Sequence, residues 1–596
     1  MAAERQPRSR FSKKSSQSRS NLDSKLHNNK SYDELCWCPR ASVVFNVLLS
    51  ARISAAFLSN ISDCDETYNY WEPTHYLLYG SGFQTWEYSP KYAIRSYGYL
   101  LLHVLPAQVV KQIFQANKVT VFYYVRFLLG ILCAACETYF FKSLVYQFGN
   151  NVARLYFVLS AVSTGMFISS AAYLPSSFAM YCCLVAYGGW FNRNYPIAIF
   201  GIALGSLVGW PFFVILGVPI AFDIVIRQNK FWTFIQWSLG ILLAVLIPLI
   251  AIDTHYYGKQ VISPLNIVLY NVFSNGGPDL YGVESWTFYF KNGFLNFNCV
   301  FIMACFSLPF TLLTMCIVKK NRDLLQLPTW LVLSSIYIWA LVFFTRPHKE
   351  ERFLFPIYPL IILSAGIVLT SFQELYHHLL TPLNKRHYSS SSNWLIGIIM
   401  TVFTLISLSR SSALYVGYHA PLDVYPELHE LVTPFDETKA PMFREDRKIN
   451  VCVGREWYRY TSSFFLPPTW KYLFLKSEFS GQLPHQYKAG ADGTKVVPQF
   501  MNDMNIEEVT VYSSIHDCDL LVDIDLPTEG EYEKNFSRLR NRWEIIYSKK
   551  FLDSTRSHPF FRAYYIPFIS EKYTTYVDYN LLKSKRDRRK MHFDDE

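Results

Sequence analysis

Between Ala41 and Leu408 the chain alternates long apolar runs with short polar stretches. The runs cover roughly Ala41 to Leu58, Val119 to Phe141, Leu155 to Ala172, Ser176 to Phe191, Pro196 to Trp210, Pro211 to Ile226, Phe231 to Ile252, Phe294 to Val318, Trp330 to Phe344, Leu354 to Thr370 and Trp394 to Leu408. Many approach the roughly 20 residues that a helix needs to cross the hydrocarbon core, so the pattern predicts a polytopic α-helical membrane protein with about eleven transmembrane helices. After Leu408 the long runs stop. Short strand-like runs at Ile449 to Val453, Tyr472 to Leu475, Leu520 to Ile524, Trp543 to Tyr547 and Arg562 to Ile566, with a candidate helix at Arg455 to Phe465, predict a small α/β C-terminal domain. It carries no Gly-rich phosphate loop, which argues against nucleotide binding.

Loop charge orients the spans, because basic residues in short loops favour the cytosol. With the N-terminal tail inside, the inside loops hold Lys142 and Arg154, then Arg193, then Arg227 and Lys230, then Lys319, Lys320 and Arg322, then Lys385 and Arg386. This requires Tyr97 to Phe114 to lie along the outer surface or dip into it rather than cross. The outside loops are then 59–118, 253–293 and 345–353, and the region from 413 onward is outside too.

Composition agrees with the membrane class: 51% of the 596 residues are apolar and 17% charged, against about a quarter charged in ordinary soluble chains. The net charge of +10 is concentrated in the N-terminal tail and the extreme C-terminus. Both ends read as solvated tails beside lipid headgroups rather than nucleic-acid surfaces. Residues 1–40, rich in Ser, Lys, Arg and Asn, have the composition of a disordered tail, and the first apolar run, without a small-residue cleavage site, reads as a signal anchor. The twelve cysteines show no zinc spacing; Cys452 and Cys518 are placed to pair if their region lies in an oxidising lumen. Within the predicted bilayer, Arg52 and Glu137 suggest a structural ion pair, and Arg126 lies near the outer end of its span. The triplets Asn60-Ile61-Ser62 and Asn535-Phe536-Ser537 are compatible with an outside position.

Candidate chemistry concentrates in the first outside loop. From Ser59 to Pro90 it sets Asp63, Asp65, Glu66, Glu72 and Glu87 among Tyr68, Tyr70, Trp71, Tyr76, Phe83, Trp86 and Tyr88. Flat aromatic faces hold a sugar by stacking while a carboxylate takes a proton from one of its hydroxyls. The competing reading is an amphipathic surface segment with solvated acids. The stretch Arg346 to Phe353, RPHKEERF, puts Arg346, His348, Lys349 and Arg352 on the side that basic loops avoid, which suits a phosphate or anionic headgroup. A helix cap neutralised by Glu350 and Glu351 is the alternative. The loop 253–293, with Tyr281, Trp286 and Tyr289, could wrap a sugar or headgroup, or form a re-entrant segment with anchoring aromatics.

The stretches SNISDCDETYNYWEPTHYLLYG, GFQTWEYSP, PLNIVLYNVF, GPDLYG and PHKEERFLFP, and NVCVG followed by EWYR, resemble a known family. This is the membrane-embedded GT-C glycosyltransferases that use dolichyl-phosphate sugars, and within them the dolichyl-phosphate-mannose-dependent α-1,2-mannosyltransferases of asparagine-linked glycosylation, glycosyltransferase family twenty-two. The resemblance runs from about Ala41 into the C-terminal region. It implies a disordered cytosolic tail 1–40, a GT-C catalytic domain 41–412 and a luminal α/β domain 413–596 ending in a basic tail. It also implies residence in the endoplasmic reticulum membrane with a luminal site, and transfer from dolichyl-phosphate mannose, with inversion, to the seventh and ninth mannose positions of a dolichyl-diphosphate oligosaccharide. Carried over, Asp65 and Glu66 are the acidic pair, one of them the catalytic base. Lys349 and Arg352 stabilise the departing phosphate with His348 assisting. Asp63, Arg126, Tyr281, Trp286 and Tyr289 complete the substrate contacts, and no metal or cofactor is implied. Where many relatives carry a histidine two residues before the pair, this chain has Asp63. The alternatives are a dolichyl-phosphate-mannose mannosyltransferase acting on a glycosylphosphatidylinositol anchor or another glycan arm, or a lipid or sugar transporter; no internal repeat of the transporter kind is visible.

Overall fold

The computed structural model describes residues 37–273, 277–318, 327–380, 388–434 and 440–585. The predicted tails up to residue 36 and beyond 585, and the basic loop residues at 319, 320, 322, 385 and 386, lie outside the described residues.

Each predicted apolar run falls on helical structure. The helices that frame the site are α1 (Ala41–Leu58), α2 (Glu72–Tyr79), α3 (Tyr97–Ile113), α4 (Lys118–Val162), α5 (Pro175–Phe191), α6 (Phe231–Tyr257), α7 (Ser263–Phe273), α8 (Tyr358–Leu380) and α9 (Tyr388–Tyr418). By length and composition, five helices among the described residues can cross a membrane, or six if the pair Phe288–Cys305 and Ser307–Val318, bent by 41°, counts as one span. The other runs are shorter helices or are interrupted. The predicted spans at 196–226, for example, break into α, π and 3₁₀ pieces around Trp210 and Pro211, where proline removes a backbone donor.

Two predicted spans meet inside α4. The expected loop holding Lys142 and Arg154 is mostly helical, and the chain reverses at Gly149, whose φ of 85° and ψ of 175° leave the helical region. Ser160 nevertheless bonds the Glu137 carboxylate. In a straight helix those residues would be about 35 Å apart, so α4 is two antiparallel legs. Arg52 of α1 closes the junction, with Nη2 2.8 Å from Glu137 Oε1 and 2.9 Å from the Ser160 carbonyl. Its side chain is 1% exposed and that of Glu137 0%, so each charge is matched where water cannot reach it. The expected structural pair is present.

Helix α3, the segment expected to lie along the surface, is two-faced. Tyr99, His103 and Ala107 are buried, whereas Leu102, Leu105, Val109 and Ile113 face outward.

The C-terminal region builds a five-stranded mixed sheet from β2 (Asn450–Val453), β3 (Lys471–Phe474), β5 (Leu520–Ile524), β6 (Trp543–Leu552) and β7 (Tyr576–Ser584), in the order β3-β2-β5-β7-β6. Four predicted strands are present. The fifth is not, since Arg562 lies in the short helix Pro559–Ala563, where the N-cap His558 and the proline after it start a helical turn. The fifth strand is instead β7, paired between β5 and β6, whose Val577, Tyr579 and Leu581 are buried. The predicted helix Arg455–Phe465 is two 3₁₀ turns, Arg455–Tyr458 and Ser463–Phe465, separated at Tyr460 by a left-handed φ of 59°. Cys452 and Cys518 are bonded, with Cα atoms 5.6 Å apart. Neither glycosylation triplet presents its asparagine: Asn60 Nδ2 donates to the Leu414 carbonyl, and buried Asn535 donates to Asp525 and Leu526.

This sheet is fastened to the first loop. The Glu72 carboxylate, 0% exposed, accepts from Ser463 N at 2.6 Å, Ser463 Oγ at 2.8 Å and Phe83 N at 3.1 Å. A two-residue strand β1 (Phe83–Gln84) pairs antiparallel with β4 (His485–Gln486). Trp71 packs edge-on to Phe464 at 5.5 Å.

Candidate active site

The acidic loop is shaped by local hydrogen bonding. Asp63 caps the short turn Cys64–Glu66, its Oδ1 accepting from Asp65 N at 2.9 Å. A π turn, Thr67–Trp71, follows and runs directly into α2, which ends at Gly80 with φ 77°. The wide turn rotates successive side chains away from α-helical spacing. Within the turn before it, consecutive side chains point about 100° apart: Asp65 lines the cavity while Glu66 turns inward, where Oε1 accepts from Trp71 Nε1 at 3.2 Å and Tyr173 N at 2.9 Å.

A cavity of about 680 Å³ opens beside Asp65. Its charged lining is Asp65, Glu87 and Arg95 from the first loop and His348, Glu350 and Arg352 from the second. Arg352 lies at its centre: Nη2 is 2.6 Å from Asp65 Oδ2, Nη1 3.1 Å from Asp63 Oδ2, and Nε bonds Glu350. Arg95 forks onto Glu87 with two 3.0 Å bonds, donates to Tyr70 OH at 2.8 Å and stands 3.8 Å from Asp65. The cation–carboxylate network thus joins two loops nearly three hundred residues apart in sequence.

The network separates the acids electrostatically. Burial, with Asp65 and Glu350 nearby, pushes Asp63 up to about 7 against the pull of Arg352. Burial acts on Asp65 in the same direction, but Arg352 and Arg95 together outweigh it and hold Asp65 below the usual carboxylate range. Glu66 is raised by burial, with Arg126 and its hydrogen bonds opposing. His348 bonds the Gly282 carbonyl at 2.9 Å and approaches Glu350 at 3.2 Å. Burial disfavours its charged form, yet those two partners raise its pKa overall. At neutral pH the site holds an ionised carboxylate, Asp65, between two guanidinium groups.

Of the residues singled out from sequence, Asp65, Tyr281, His348 and Arg352 line the cavity, and Asp63 stands behind Arg352. Tyr68, Tyr70, Trp86 and Glu87 of the first loop line the cavity too, whereas the remaining predicted site residues are placed elsewhere. Glu66 faces the helix core. Lys349, 7% exposed, gives its Nζ to the carbonyls of Glu284, Arg346 and Pro347, and so clamps the loop 345–353 to the loop 253–293. Arg126, 1% exposed, donates to the Ser59 carbonyl and hydroxyl, each at 2.7 Å. Tyr289 is buried against Phe344, and Trp286 is exposed outside the cavity. Sequence reading passed over Arg95 and the lining residues Phe479, Gln482 and Asn505, and quoted Trp457 and Tyr458 within the motif EWYR without giving them a place in the site. For Arg95 a signal existed: it is a basic residue eight positions after Glu87 in the same loop.

An acceptor hydroxyl beside Asp65 and an anionic leaving group on Arg352 would meet in this cavity, which is the arrangement that group transfer from a phosphate ester requires. Asp63, Cys64 and Asp65 also offer one ligand atom each within 4.8 Å of one another, with both carboxylates bonded to the Arg352 guanidinium.

The arrangement is that of a multi-pass membrane enzyme of the glycosyl-transfer kind. Residues 43–467 match the Alg9-like mannosyltransferase family. The chain is 50% identical to "Alpha-1,2-mannosyltransferase ALG9" of Mus musculus and to its Homo sapiens counterpart, in each case over 92% of this chain and 90% of the relative. It belongs to the Alg9-like mannosyltransferase family. Among solved structures, ArnT from Cupriavidus metallidurans bound to undecaprenyl phosphate superposes with a TM-score of 0.46 and 11% identity, over 72% of this chain and 85% of that one, a likeness too distant to bear on function.

Proposed function

We propose that this mannosyltransferase takes mannose from dolichyl-phosphate β-mannose and places it on the 2-hydroxyl of mannoses of a dolichyl-diphosphate oligosaccharide, with inversion to an α-1,2 linkage, during N-glycan precursor assembly. The acceptor oxygen attacks the anomeric carbon as the bond to phosphate breaks, and dolichyl phosphate leaves with the electron pair. Asp65 takes the hydroxyl proton. Arg352, with His348 beside it, holds the departing phosphate as its charge grows. Phosphate leaves without protonation, so a single carboxylate suffices. Asp63 and Arg95 set the charge and position of Asp65 rather than touch the sugar.

The observation that carries this reading is the direct contact of Arg352 with Asp65 in one cavity. It supports the reading because a carboxylate suited to act as base and a guanidinium suited to hold phosphate lie 2.6 Å apart. Membership in the family supports the mannosyl group and the lipid-linked substrates. The bonded Cys452 and Cys518 support an oxidising, luminal setting for the C-terminal region, and the outward apolar stripe of α3 suits a helix lying in the membrane interface. Purified protein given dolichyl-phosphate mannose and a lipid-linked six-mannose acceptor should yield an α-1,2-linked product. No transfer by the wild-type protein would sink the reading.

A further inference from the structure

The cavity lining changes chemistry across the chain. Every charged lining group comes from the loops at 65–95 and 348–352, whereas the C-terminal region contributes Trp457, Tyr458, Phe479, Gln482 and Asn505, with Leu483 and Pro484, and not one charge. A phosphate ester requires the first kind of surface. A neutral glycan requires the second, aromatic faces for its C–H surfaces and carboxamides for its hydroxyls.

The uncharged wall is built rather than incidental. Asn505 is held in the left-handed region, φ 52°, and its Oδ1 accepts from Gln482 N at 3.0 Å. Gly481 is what permits this, since a Cβ there would lie 2.4 Å from the Phe479 ring and 2.5 Å from Asn505 Oδ1. Gln482 Oε1 in turn accepts from Asn502 N at 3.3 Å, while its Nε2 is shielded from solvent and has no hydrogen-bond partner. Both carboxamide oxygens are thus spent on backbone N–H groups, which fixes the side chains and leaves their NH₂ groups to donate. An unpartnered buried donor costs about 1–3 kcal/mol, so a ligand that supplies an acceptor oxygen there is favoured.

The wall is also registered against the base. Tyr68, three residues after Asp65, donates to the Trp457 carbonyl at 2.7 Å, Trp457 packs on Phe479 at 4.5 Å, and the β1–β4 pairing fixes the segment after Pro484 on the first loop.

We infer that this wall, Trp457, Tyr458 and Phe479 with the amides of Gln482 and Asn505, is the subsite that holds the acceptor glycan, a neutral mannose oligosaccharide, and presents its hydroxyl to Asp65. The inference rests on the proposed mannosyl transfer. It assigns acceptor selection to the C-terminal region and donor phosphate binding to the charged loops.

The test is steady-state kinetics of the full chain in detergent or vesicles, with the acceptor and dolichyl-phosphate mannose varied in turn. Gln482→Met keeps volume and removes the amide, and Asn505→Gly keeps the left-handed backbone and removes the side chain. Each should raise the acceptor KM by about three- to tenfold, the worth of one or two hydrogen bonds, with the donor KM within about twofold of wild type. Tyr458→Ala, which removes a partly exposed ring, should do the same and covers the case in which the loop variants fail to fold. An unchanged acceptor KM in a folded variant, or equal changes in both KM values, would overturn the inference. A wild-type protein without transferase activity would instead overturn the reading on which it rests.

Discussion

Arg352 Nη2 lies 2.6 Å from Asp65 Oδ2 although 287 residues separate them in the chain. One guanidinium thereby ties the two outer loops together and supplies the cation at which a phosphate would compete with the carboxylates. When a donor phosphate takes a share of Arg352, Asp65 loses part of the charge that keeps it ionised, and its affinity for the acceptor proton rises. On the proposed mechanism, donor binding and base activation would be coupled through the same side chain.

Removing that side chain should affect turnover above all. Arg352→Ala is expected to lower kcat by about 10²- to 10³-fold, the scale for loss of one group that stabilises developing charge. Arg352→Lys should restore only part, because an ammonium cannot span Asp63 and Asp65 as the planar fork does. Kinetics of both variants at saturating donor measure this, and near-wild-type kcat in Arg352→Ala would remove the leaving-group role.

The pH dependence should belong to Asp63. Its carboxyl is raised to about 7, so rising pH through that value adds a negative charge that competes for Arg352. Donor KM should increase between about pH 6 and 8 and become flat in Asp63→Asn. The stability sign is the same. A raised carboxyl contributes stability below its ordinary 3.8, and that contribution is lost as pH rises toward about 7. Asp65, held low, contributes in the opposite sense, above the ordinary carboxylate value, and its contribution disappears in acid.

Glu72 should behave as a structural carboxylate. Glu72→Ala leaves the buried Ser463 and Phe83 amides without their acceptor, at about 1–3 kcal/mol each. Thermal unfolding should show a lower midpoint, with proteolysis appearing first between the C-terminal sheet and the first loop.

Cys452 and Cys518 close a segment with a sequence separation of 66. The chain-entropy relation gives about 4 kcal/mol for a loop of that size. Reduction, or Cys452→Ser with Cys518→Ser, should lower the unfolding midpoint of the C-terminal sheet while leaving the membrane helices assembled. Circular dichroism during heating follows both.

Much of this was legible in the sequence because it depends on local pattern. Apolar runs located the helices, and alternation located four of the strands. Arg52 and Glu137 were recognisable as a pair because an isolated charge in a membrane is costly. Loop charge put the first loop and RPHKEERF on the same side of the membrane, and the family resemblance assigned both to one site. What the sequence withheld was direction. Asp65 and Glu66 are neighbours of nearly equal chemistry, about 100° apart around one helical turn, and only the packing of that turn decides which enters the cavity and which the helix core. Lys349 and Arg352 look alike as cations, but three backbone carbonyls capture the lysine. The motif EWYR marked Trp457 and Tyr458, but not their place in the cavity, because the register of the C-terminal wall on the first loop is set by contacts such as Tyr68 to Trp457, 389 residues apart, which local pattern does not reveal.

The central claim is that Asp65, and not Glu66, is the base. It is tested by single-turnover mannose transfer from dolichyl-phosphate mannose to the lipid-linked six-mannose acceptor, comparing Asp65→Asn with Glu66→Gln. Asp65→Asn should bind donor and lose transfer by at least about 10²-fold, the lower end for a missing general base. Glu66→Gln keeps an acceptor for Trp71 and Tyr173, and should transfer at a rate within about tenfold of wild type. Equal turnover by Asp65→Asn and wild type, or loss confined to a well-folded Glu66→Gln, would contradict the account.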